Sequence, residues 1–140
     1  MNRRAAACLC LLLAACDPAT TFRSCDGRLE GHGHKLANKN DGRWTLFGPG
    51  GVRAATGGFS NGMPVGRWKQ FWPNGALKER AELRDGLRHG DAATFDAHGH
   101  RESAGRYENG VPCGAWIFWD AAGQIDTART GQYRAGVRVE

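Results

Sequence analysis

"GRWKQFWPNGALKERAELRDG", residues 66 to 86, sets two tryptophans and a phenylalanine among lysines and arginines. Rings interleaved with cations describe either of two objects. One is a single-strand nucleic-acid surface, where bases stack on the rings and cations follow the backbone; the other is one β-hairpin of a repeating sheet. Spacing along the rest of the chain separates them. Gly75 recurs as Gly27, Gly51, Gly99 and Gly123, and Gly66 recurs as Gly42, Gly90 and Gly114, both at intervals of 24 residues. Trp44, Trp68, Ala92 and Trp116 keep the same interval, as do Phe47, Phe71, Phe95 and Trp119. A further series places Phe59, Leu83 and Tyr107 three residues before Gly62, Gly86 and Gly110, each preceded two positions earlier by a small residue, Gly57, Ala81 or Gly105. The last unit keeps this pattern as Gly131, Tyr133 and Gly136, displaced by two inserted residues. The quoted stretch is therefore one unit of an array.

Twenty-four residues divide into two strands and two turns. "WPNGAL" and "GPGGVR" carry Pro, Asn and Gly between apolar segments, and "FSNGMPVG" and "YENGVPCG" carry the same chemistry at the other end, which leaves strands of about seven to nine residues. Leu77, Ala81 and Leu83 alternate with Lys78, Arg80 and Glu82, the period of two expected of a strand with one wetter face. Trp68 and Phe71 have opposite parity, so either a bulge separates them or both faces bear aromatics, and the bulge is the expectation. The fold expected is all-β: an open, single-layer antiparallel β-meander of about four to five hairpin repeats of 24 residues.

The run Gly66, Trp68, Phe71, Asn74, Gly75, Leu77, Leu83, Gly86, Gly90 resembles the MORN-repeat variant, in the form found in YwqK-like bacterial proteins often called antitoxins. The resemblance covers Gly27 to about Gly136 and implies a gently curling β-meander with no catalytic residues of its own. The chain departs from it at Ala92, at "KLANKND" in the first unit and at the insertion in the last, and these departures are expected to mark capping units.

The amino terminus reads as an address. "MNRRAAACLCLLLAAC" joins Arg3 and Arg4 to an apolar run from Ala5 to Leu13 and small residues before Cys16. The run is about half the length that spans a bilayer. Leu13-Ala14-Ala15-Cys16 resembles a bacterial lipobox, which implies cleavage before Cys16 and acylation of its thiol. The expected organisation is a signal peptide over 1–15, a lipid-anchored linker over 16–26 and a repeat domain over 27–140. The protein is then held on the inner or outer membrane of a bacterial envelope, facing the periplasm or the cell surface. Removing the signal lowers Lys plus Arg from 19 to 17 against 14 acids, a mildly basic +3 that falls short of a nucleic-acid footprint. No nucleic-acid partner is expected. Cys25 and Cys113 remain, at opposite edges of a meander and about six strand spacings apart, so they are not expected to bridge within one molecule.

Trp44, Trp68, Trp116, Phe47, Phe71, Phe95 and Trp119 are first cross-strand packing and second a candidate binding face for protein, glycan or lipid. His32 with His34 and His98 with His100 lie 66 residues apart, not a multiple of the repeat, so they do not converge as metal ligands. His89 and Cys113 occupy equivalent turns of neighbouring units, about 10 Å apart, beyond the reach of a thiol–base pair. Glycines spread at intervals of 24 cradle no phosphate. No cofactor and no metal are expected. The function expected is a non-enzymatic, membrane-tethered binding or scaffold module with a protein partner; the alternatives are an antitoxin- or immunity-like protein acting on an envelope toxin, and an enzyme of envelope polymers.

Overall fold

The computed structural model describes residues 20–23, 30–37 and 39–139. The segment 1–15 read as a signal peptide, Cys16 and Cys25 lie outside the described residues, and the expectations for cleavage, acylation and the Cys25–Cys113 pair lie there with them.

Among the described residues, eleven strands form one antiparallel sheet in strict sequence order: β1 (Thr20–Arg23), β2 (Glu30–Leu36), β3 (Lys39–Phe47), β4 (Arg53–Ser60), β5 (Met63–Phe71), β6 (Leu77–Arg84), β7 (Leu87–Phe95), β8 (Arg101–Glu108), β9 (Val111–Phe118), β10 (Gly131–Arg134) and β11 (Val137–Arg138). Among the described residues the sheet is open and not closed into a barrel, as expected. It begins earlier than expected. Strand β1 lies inside the segment 16–26 read as linker and pairs with β2 from Thr20↔Gly33 to Arg23↔Glu30. Thr20, Thr21 and Phe22 are residue types that suit a pleated surface, and the absence of glycine punctuation there hid the strand.

Two kinds of turn alternate. Asn61-Gly62, Asp85-Gly86, Asn109-Gly110 and Ala135-Gly136 all have positive φ at both positions, the two-residue hairpin turn whose twist matches that of its strands. Each turn also leans on the previous repeat: the N–H of Gly62, Gly86, Gly110 and Gly136 donates to the carbonyl of Asn40, Pro64, Arg88 and Pro112, at 2.9, 2.9, 2.7 and 3.1 Å. At the other edge, Asp96 and Asp120 close wider loops by accepting backbone N–H bonds from His98 and His100, and from Ala122 and Gln124.

The glycine series of Gly66 has a different cause. Between Val65 and Lys69, β5 runs four residues while β4 advances only from Gly58 to Thr56, so Gly66, at φ 72°, sits in a bulge ahead of Trp68. The same shift recurs in the β2–β3, β6–β7 and β8–β9 pairs. The β5–β6 ladder shifts again between Gln70 and Phe71, but there the extra residue is Lys78 on β6. Along β5 itself Trp68 and Phe71 keep opposite parity, so aromatics line both faces.

Candidate functional site

One row of side chains on one face explains most of the packing. Trp44 is 1 %, Trp68 9 % and Trp116 4 % exposed, although they stand on a single sheet. Each indole lies flat across a glycine of the preceding strand. A Cβ added at Gly33, Gly57 or Gly105 would fall 2.3, 2.1 or 2.2 Å from the Cδ2 of Trp44, Trp68 or Trp116. Each Nε1 then donates to the carbonyl of the next residue on that strand, His34, Gly58 or Arg106, at 3.0, 3.0 and 3.1 Å. The pair is always eleven residues apart, and it covers the bulged part of the ladder with an aromatic plate. Neighbouring plates are joined edge to face through Phe59, which meets both Trp44 and Trp68, and through Tyr107, which meets Trp116. Trp116 also stacks on Phe118 and meets Tyr133.

The seven candidate residues therefore fall into two sets. Three tryptophans are buried, so a partner laid on that face meets their neighbours before it meets them. Phe47, Phe71, Phe95 and Trp119 are half-buried, each where its strand enters a loop. Arg53 caps the ring of Phe71 at 4.3 Å and Arg101 that of Trp119 at 5.9 Å, the same interval of eighteen residues in both. Lys78 lies 4.5 Å over Trp72, whose Nε1 donates to the carbonyl of Phe95. Within residues 66 to 86 Lys78 is thus the cation that packs on a ring, as Arg53 and Arg101 do outside that stretch.

The aromatic row is broken once, in the middle of the sheet. At the position of the indole stands Ala92, directly opposite Ala81 where the other units have glycine. Ala92 was expected to mark a capping unit; β7 instead has β6 and β8 on its two sides. The two exchanges compensate, because the Cβ of Ala81 occupies the space an indole at position 92 would need. Two more exchanges stand beside it. Glu79 replaces the small Ala55 and Ser103 of flanking units, and Arg88 replaces Pro64 and Pro112. Arg88 donates from Nε and an Nη to the two carboxylate oxygens of Glu79 at 2.7 and 2.8 Å, while its guanidinium stands 5.7 Å from the Tyr107 ring. That fork is the strong geometry of an Arg–carboxylate pair. The Glu79 bond, opposed by partial desolvation, holds the Arg88 guanidinium above its ordinary pKa. Beside the pair opens a mainly apolar cleft of about 270 Å³, walled by Leu46, Phe59, Trp68 and Leu83.

The other candidates are placed apart. His89 contacts Arg84 and Asn109, and Cys113 pairs in register with Arg106. His98 and His100 share a loop with their rings 6.2 Å apart, and His100 Nδ1 lies 3.0 Å from Asp96. Asp96 feels some desolvation, but bonds from the His100 ring and from backbone N–H groups hold its carboxyl below the usual range. Among the described residues no group of three or more His, Cys, Asp or Glu is arranged to hold a metal ion. Sequence reasoning missed the Glu79–Arg88 pair. Its signal was present, since both break a small-residue or proline series, but their contact depends on the bulge register.

The fold and this row define the class: a β-hairpin repeat protein with an aromatic-plate core. Comparison with protein-family models gives no match, and comparison with curated proteins gives none either.

Proposed function

We propose that the chain is a non-enzymatic binding module of the bacterial envelope, of MORN-variant type, held at a membrane by a lipid on Cys16 and presenting its sheet to a protein partner. The observation that supports this reading is the contrast between the two faces. On the indole face the repeating residues are consumed by packing. On the other, a continuous row of directly paired residues, Thr45, Thr56, Lys69, Arg80, Ala93, Ala104 and Ile117, crosses seven strands, exposed at Lys69, Arg80 and Ile117 and buried at Ala93. At about 4.8 Å per strand this row is about 29 Å long. Its residues change from hairpin to hairpin, whereas the glycine–indole pair recurs at three of its four positions, Gly33 with Trp44, Gly57 with Trp68 and Gly105 with Trp116, which is how a repeat array separates a binding surface from the interfaces that hold it together.

Two measurements test it. Labelling with a radioactive fatty acid is expected to mark the wild type and to spare Cys16→Ser; equal labelling of both removes the anchor. Affinity purification of the full chain from native membranes is expected to retain a protein reproducibly, and retention of none removes the binding role.

A further inference from the structure

Resting on the binding role proposed above, we infer that the face opposite the indoles carries, at its centre, a docking site for an acidic segment of a protein partner. The site is built on Lys69 and Arg80. These residues are directly opposite each other on β5 and β6, so their side chains leave the same face with Cβ atoms about 5 Å apart. Like charges in that relation oppose folding. Both are exposed, and no carboxylate among the described residues forms an ion pair with either.

The fold does not require this arrangement. The equivalent pairs in the neighbouring hairpins are Thr45 with Thr56 and Ala93 with Ala104, neutral residues that keep the same strand register. Two facing cations at one hairpin alone are a local charge without an internal purpose. A carboxylate placed between them removes the repulsion and gains two charge-assisted bonds, so binding recovers what folding gives up.

The surroundings choose the class of ligand. Lys69 and Arg80 edge a shallow depression of about 460 Å³ that Arg67 extends on the same side, with Glu82 and Asp91 also lining it. Arg67 lies 3.6 Å from Glu82 with its side chain 90 % exposed, so it is tethered loosely and remains available. A uniformly anionic surface, such as a lipid bilayer or an acidic polymer, brings negative charge onto Glu82 and Asp91 as well as onto the cations. A protein segment sets its signs residue by residue: carboxylates toward Lys69 and Arg80, neutral or basic groups toward Glu82 and Asp91. Matching a mixed pattern of this kind is what charge complementarity between proteins accomplishes.

The test uses the full chain in detergent micelles and a fluorescein-labelled peptide of alternating glutamate and serine, followed by anisotropy. The peptide is expected to bind, to weaken as salt is raised, and to lose about tenfold in affinity with Lys69→Glu and with Arg80→Glu. Arg134→Gln, a charge loss outside the patch, is expected to bind as the wild type does. The thermal midpoint of Lys69→Glu is expected to stay level or rise, because the introduced carboxylate faces Arg80. The inference is overturned if the glutamine counterpart of the peptide binds equally, if Lys69→Glu binds like wild type, if phosphatidylglycerol vesicles displace the peptide, or if the peptide does not bind at all. Should the peptide fail while a membrane protein still co-purifies with both wild type and Lys69→Glu, the ligand assignment falls and the binding role stands. Should nothing co-purify with the wild type, the binding role itself falls.

Discussion

Gly57 and Trp68 show why a thin sheet has a core. Removing one Cβ lets an indole lie on backbone, and the indole returns a hydrogen bond and an apolar lid. Because the ring is buried, Trp68→Ala is expected to cost about 3 to 5 kcal/mol in thermal or denaturant unfolding. The relation is also testable in reverse at the broken position. Ala92→Trp alone drives a ring against the Cβ of Ala81 and is expected to destabilise by about 1 to 3 kcal/mol. Ala81→Gly alone is expected to cost about 0.5 to 1 kcal/mol, the usual penalty of glycine within a strand. Together they recreate the pair found in the flanking units, so the double variant is expected to be more stable than the sum of the two changes by at least about 1 kcal/mol. Simple additivity in that cycle would show that the plate does not depend on its glycine.

Hairpins carry their own predictions. Ala135 holds φ 49° in a turn whose counterparts are Asn61, Asp85 and Asn109. Alanine has no side-chain group to offset that conformation, so Ala135→Asn is expected to raise stability by up to about 1 kcal/mol, read as a higher melting temperature. In the central hairpin, Arg88→Met leaves the Glu79 carboxylate buried without its partner, a change expected to cost about 3 kcal/mol or more. Adding Glu79→Ala, the residue of the preceding unit, is expected to recover most of that loss in the same unfolding measurement. A double variant less stable than Arg88→Met would mean that the carboxylate is satisfied by something other than Arg88. These outcomes also show what was legible beforehand. The dipeptides Asn-Gly and Asp-Gly and the 24-residue interval specify strands, turns and an open meander without further information. The glycines at the bulge were visible as a series but not as a cause, because a bulge is a property of two strands in register and a sequence shows one strand at a time. For the same reason Ala92 read as an edge feature, although its partner Ala81 lies in the sheet's interior, and Glu79 with Arg88 gave no pattern until the register joined them.

On the reading proposed here the indole face is held by the glycine–indole pairs, and the paired row from Thr45 to Ile117 on the opposite face varies from hairpin to hairpin. A surface spread over seven strands concentrates no single indispensable group, and its contributions are expected to be graded, largest near Lys69 and Arg80 and smaller toward Thr45 and Ile117. The measurement that decides this is partner retention from native membranes for the full-length chain substituted singly along the row, at Thr45, Thr56, Lys69, Arg80 and Ile117, with thermal unfolding recorded for each variant. Melting temperatures are expected to stay close to wild type, with partial, position-dependent losses of the retained protein. One substitution that abolishes function while retention and melting temperature stay at wild-type values would instead reveal a point of chemistry, and would contradict the account.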